Sequence, residues 1–145
     1  MGGGNSLSYQ ALAKELGIES QCKWYGAIPH GEVQRVMQES DVFFFTSVAE
    51  GTPHVVLEAI GNNLPVICFN TCGQGDSVNE KIGRKIELST PKISIQDFAK
   101  ILNTLESNRH LLKEMAENCQ ERQQELSWDK KVLQMVELYK RALQQ

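Results

Sequence analysis

Two short, wholly apolar runs do most to limit what this chain can fold into. "DVFFFTS" at 41–47 and "PVICFN" at 65–70 show no polar alternation, so each reads as a strand buried on both faces. Such strands belong to parallel sheets, whose neighbours need crossover helices between them. The intervening "HVVLEAIGNN" supplies one, starting near His54 and ending near Asn62 and Asn63. Ahead of it, "SLSYQALAKELG" spaces Leu7, Leu12 and Leu16 for a helix with Ser6 as cap and Gly17 as stop. "CKWYG" then reads as a short strand and "HGEVQRVMQES" as a helix. Beyond Asn70, "GQGDSVNEKIG" is a glycine-punctuated loop with one helical turn, and "RKIEL" a weaker strand. Three helical patterns follow: "SIQDFAKILNTLES", "RHLLKEMAENCQERQQEL" and, capped by Ser127, "WDKKVLQMVELYKRAL".

Alternation through about residue 87 predicts an α/β fold, a Rossmann-like parallel sheet with flanking helices and a helical C-terminal segment. A unit of this kind normally opens on a strand, and a G-x-G turn joins that strand to its helix. Here glycines lead straight into a helix. The expectation is therefore a piece of a larger sheet, truncated at its N-terminal side.

The 145 residues suit one domain with a real core. A net charge of −3 with dispersed lysines and arginines argues against nucleic acid as a partner and against a polybasic membrane anchor. "VFFF" at 42–45 is too short to cross a bilayer. "MGGGNS" fits a myristoylation pattern at Gly2 and Ser6, but no basic cluster supplies a second anchor. Cys22, Cys68, Cys72 and Cys119 form no CxxC, and no histidine is spaced to complete a zinc site with the Cys68–Cys72 pair. Buried thiols in strands and helices account for them and point to a reducing, cytoplasmic setting.

"EGTPHVVLEA" at 50–59 concentrates the chemistry. In an open parallel sheet, ligands sit beyond the carboxyl ends of the strands, where Glu50 and the loop to Pro53 fall. The helix start after Pro53 offers backbone N–H groups and a positive dipole end to phosphate. Gly51 permits close backbone approach. A turn of about 100° per residue puts Glu58 roughly 40° from His54, with Gly61 and Asn62 in the same arc. Glu58 would then accept hydrogen bonds from sugar or ribose hydroxyls. A narrow polar stripe on an apolar helix is equally its solvent face. From the residues alone both readings stand.

The chain resembles the donor-binding, C-terminal domain of the group 1 glycosyltransferases (family four), retaining enzymes of the GT-B fold. "YGAIPHGEV" at 25–33, "SDVFFFTSVAEGTPHVVLEAIGNNLPVICFN" at 40–70, "CGQGDSV" at 72–78 and "SWDKKVLQMVELYKRAL" at 127–143 carry the likeness. The resemblance implies transfer of a glycosyl group from a nucleotide diphosphate sugar to an acceptor hydroxyl with retention, in bacterial polysaccharide or glycolipid assembly. Glu50 would contact the donor sugar and stabilise charge at its anomeric carbon, and Glu58 would hold the ribose hydroxyls. Amides around Gly51, Thr52, His54 and Val55 would meet sugar and diphosphate, while Gly26 to Ile28 would lie against the base. No cofactor or metal is implied.

In the family, an arginine and a lysine upstream neutralise the diphosphate, and an N-terminal domain binds the saccharide or lipid-linked acceptor. Neither part is visible here. The expectations are that this length of chain alone transfers no sugar and binds nucleotide weakly. The helix from Ser127 would expose apolar surface and promote self-association, and the longer enzyme would associate peripherally with the cytoplasmic face of the inner membrane. Three other readings stay open: a GT-B-shaped sugar-nucleotide epimerase, a non-catalytic sugar-nucleotide binding module, and an interaction domain with both glutamates solvated.

Overall fold

The computed structural model describes residues 6–144. The glycine turn and Gly2 of the myristoylation pattern lie outside the described residues. The chain divides into two compact units, one ending at Val33 and one beginning at Gln34.

The first unit opens with α1 (Ser6–Glu15), stopped as expected at Gly17, which takes φ +70. A single 3-10 turn follows at Glu19–Gln21. Residues 22–26, expected as a strand, form none. Cys22 has an extended backbone, but β-type composition makes a strand only where a neighbouring ladder accepts its hydrogen bonds. Gly26 ends the segment at φ +62, and Lys23 Nζ sits 4.8 Å from the Tyr25 ring centroid. The next helix, α2 (His30–Gln38), begins before the boundary between the units and ends after it.

The second unit holds a three-stranded parallel sheet in the order β1-β2-β3, formed by β1 (Phe43–Phe45), β2 (Val66–Phe69) and β3 (Gly83–Ile86). Phe43 pairs with Val66, and Val66 in turn with Gly83. Helix α3 (His54–Gly61) crosses from β1 to β2, and the short α4 (Cys72–Ser77) lies between β2 and β3. Three helices complete the chain: α5 (Pro91–Ser107), α6 (Arg109–Glu125) and α7 (Trp128–Ala142).

β2 is the buried strand the sequence predicts, with all four residues enclosed. Ile67 and Phe69 cluster with Ile86, Phe98, Leu105, Leu112 and Met115 from β3, α5 and α6. The Phe69 and Phe98 rings meet edge to face at 5.0 Å, a favoured aromatic geometry. Val66 and Cys68 are equally buried and, by the two-residue period, occupy the opposite face. β1 departs from expectation. It is an edge strand among those described, and Phe44 is 46% exposed although its ring meets that of Phe98 edge to face at 4.8 Å, so the helix layer covers its face only in part.

Caps rather than composition set the helix ends. Thr90, Asn108 and Ser127 each accept a hydrogen bond from the amide three residues on, at the starts of α5, α6 and α7. Asn108 makes the shortest of these, 3.1 Å from Leu111 N. Asn108→Ala is expected to lower stability by about 1 kcal/mol in urea titration, with Thr104→Ala on the exposed face of α5 as the near-neutral control. α7 has no buried residue, and its Trp128, Leu133 and Leu138 are exposed. Among the described residues no helix is long and apolar enough to cross a membrane.

Candidate functional site

β1 ends at Phe45, and residues 46–53 carry the chain from the sheet's carboxyl edge to the start of α3. Pro53 occupies the N-cap position and is buried. No side chain caps this terminus, so the helix dipole's positive end is not neutralised by its own cap. His54 N–H donates to Thr52 O at 2.9 Å, which folds the loop tightly onto the helix start. Gly51, Thr52 and His54 are exposed, and Val55 is half-buried.

The two glutamates have different surroundings. Glu50 is exposed and its Oε1 accepts from Ser47 Oγ at 2.9 Å, a bond within the loop itself. Glu58 is half-buried one turn into α3, and its Oε2 accepts from Gln34 Nε2 of α2 at 3.2 Å. Asn62 joins them: its Nδ2 donates to Gln34 Oε1 and to Glu58 O, and its Oδ1 accepts from Gln38 Nε2. The polar stripe predicted along α3 is therefore met by the amide side chains of α2 over Glu58 and Asn62. His54 and Gly61, in the same arc, remain exposed.

A cavity of about 560 Å³ opens beside the loop, lined by Gly51, Thr52 and Pro53, by Gly73, and by Arg122 and Lys131 among others. Glu50 and Glu58 are not in its lining. Gly26 and Ile28 belong to the other unit, where Gly26 is exposed and Ile28 half-buried.

The loop is held from α4. Gln74 is fully buried and its Nε2 donates to Ser47 O at 3.0 Å. Its Oε1 is buried with no hydrogen-bond partner among the described residues, a cost of about 1–3 kcal/mol carried for that one anchoring bond. Gly73 N–H reaches Glu50 O at 3.4 Å. A Cβ on Gly73 would overlap Gly51 O and sit 2.7 Å from Pro53 Cδ, so glycine is required for the two segments to meet. Sequence reasoning missed Ser47, Gln34, Gln74 and Arg122. Asn62 is readable four residues after Glu58, whereas Gln34 and Gln74 lie too far along the chain for any spacing rule.

Among the described residues no three of His, Cys, Asp and Glu cluster to hold a metal ion. Cys68 and Cys119 are buried thiols as expected, and burial pushes both up to about 11. Cys72 overturns that expectation. It opens α4 at φ +50 with its thiol exposed, because the strained turn directs it away from the core. A hydrogen bond with Thr71, then one from the Glu50 backbone, holds this thiol below the usual cysteine range. Alkylation near neutral pH is expected to modify Cys72 well before Cys68 and Cys119, as peptide mapping would show. The two buried thiols also predict an alkaline limit. Their folded values exceed their unfolded ones, so their contribution to stability is complete below pH 9 and is lost as pH rises from 9 towards 11.

Residues 1–125 match the family model of glycosyl transferases group 1. The chain belongs to that family. A lipopolysaccharide 1,6-galactosyltransferase of Salmonella typhimurium is 38% identical over 96 residues, 65% of this chain and 26% of that protein. Among solved structures, the apo form of the lipopolysaccharide outer core galactosyltransferase WaaB is 28% identical, with a TM-score of 0.70, covering 88% of this chain and 35% of that one. HepE of Anabaena, solved in complex with UDP, has a TM-score of 0.76 at 22% identity, covering 93% of this chain and 36% of that one. Both solved structures share the fold described above. The chain spans about a quarter to a third of the length of the relatives it matches.

Proposed function

We propose that this chain is the donor-binding part of a retaining glycosyltransferase that moves a glycosyl group from a nucleotide diphosphate sugar to an acceptor hydroxyl in bacterial polysaccharide or glycolipid assembly. One observation carries the reading: an uncapped helix start lies between two glutamates, on the loop leaving the carboxyl edge of a parallel sheet. That is where an open α/β sheet takes a ligand, and amides at a helix terminus suit a diphosphate. Family membership gives the ligand its chemical class.

Glu58, half-buried one turn into α3 and hydrogen-bonded by Gln34, accepts from the ribose hydroxyls in this reading. Glu50 stands at the loop's exposed turn, where its charge opposes the positive charge that develops at the anomeric carbon. The backbone around the exposed Gly51, Thr52 and His54 meets the sugar and diphosphate in this reading, together with Val55. No step here calls for a metal.

Calorimetric titration with uridine, guanosine and adenosine diphosphates tests this. One of the three is expected to bind weakly and saturably, and Glu58→Ala to abolish that binding. The galactosyltransferase relative and the UDP complex of HepE make uridine diphosphate the first choice. Saturable binding of none, or binding indifferent to Glu58, would overturn the reading.

A further inference from the structure

Helix α4 has only six residues and should be marginal by itself, yet nearly every carbonyl along it has a partner. Ser77 Oγ donates to Gly73 O at 2.7 Å, and Val78 N–H donates to Gln74 O at 3.0 Å. Lys85 Nζ, from β3, donates to Gly75 O at 2.7 Å. The last two carbonyls go to one guanidinium: Arg122 Nη2 donates to Asp76 O at 2.6 Å and Arg122 Nε to Ser77 O at 2.9 Å. Glu125 takes its Nη1 at 2.7 Å and fixes the plane of the fork. The side chain of Arg122 is only 18% exposed. Cations at a helix carboxyl terminus also oppose its negative dipole end.

We infer that Arg122 is a positioning residue for the Glu50 loop, acting through α4. At its far end α4 presents Gln74 to Ser47 O and the Gly73 amide to Glu50 O, and Ser47 in turn holds the Glu50 carboxylate. Arg122 therefore locks the back of a short lever whose front sets where Glu50 stands. That this loop meets a donor rests on the function proposed above; that Arg122 orders it does not.

The test compares Arg122→Leu and Arg122→Lys with the parent chain, all carrying Cys22→Ser so that Cys72 is the accessible thiol. Amide hydrogen exchange in Arg122→Leu is expected to quicken about tenfold at residues 47–52 and 72–77, with β2 and α3 unchanged. The alkylation–pH midpoint of Cys72 should move up towards the ordinary thiol value as its bond from the Glu50 backbone loosens. Arg122→Lys, which can serve one carbonyl, should fall between, and it decides the matter alone if the leucine variant fails to fold. Parental exchange at 47–52 with an unmoved Cys72 midpoint, or faster exchange spread evenly through β2, would overturn the inference. A parallel uridine diphosphate titration should show at least threefold weaker binding in Arg122→Leu. If the parent chain binds none, the functional reading fails, while exchange and thiol titration still judge the lever.

Discussion

Glu50→Gln in the catalytically competent protein is expected to lower kcat by roughly 100- to 1,000-fold, the scale seen when one group stabilising developing charge is removed. The substitution keeps the side chain's size and an oxygen to accept from Ser47, so only the negative charge is lost. Glu50 is exposed and contributes nothing to the core, so the urea midpoint should not move. Glu58→Gln should behave differently. Its carboxylate already accepts from Gln34, and its proposed role is ground-state grip on the nucleotide, so the donor KM should rise more than kcat falls. Initial rates at saturating acceptor separate the two. An unchanged kcat for Glu50→Gln would remove this residue from the chemistry.

Gly83→Ala should be the most damaging of the small substitutions to stability, at about 3 kcal/mol. A Cβ on Gly83 would overlap the Val66 carbonyl oxygen and lie 2.7 Å from Val78 Cγ1. Both obstacles are central: Val66 is on the middle strand and fully buried, and Val78 is buried beside it. Neither can move without opening the β2–β3 ladder. Gly61→Ala is the control, since its nearest neighbour, Gln123 Nε2, would stand at 3.4 Å and belongs to a flexible side chain. Equilibrium urea unfolding of both variants checks the contrast. Equal midpoints would mean that the close approach of β2 to residue 83 is not obligatory.

Helices were legible wherever a periodic stripe met a stop or a cap, as with Gly17, Asn108 and Ser127. β2 was legible because four consecutive apolar residues leave a strand no wet face. The error over "CKWYG" and the half-exposed Phe44 share a cause. A strand is a relation between segments, and a segment's own composition records neither whether a neighbour stands on each flank nor what covers each face. The site divides along the same line. Glu50, Glu58 and Asn62 lie close along the chain, and Glu58 and Asn62 could be placed by helix geometry. Gln34 is twenty-four residues from Glu58, and Arg122 is forty-five from Ser77; only folding reveals that each serves the same few residues.

The strand order 1-2-3 also bears on how this chain acquires its shape. Among the described strands, every neighbour in the sheet is the next strand along the polypeptide, so each of these crossovers closes over a modest stretch. A chain leaving the ribosome can dock β2 on β1 through α3, then add β3, without unravelling an earlier pairing. For these three strands, the topology permits assembly in order of emergence.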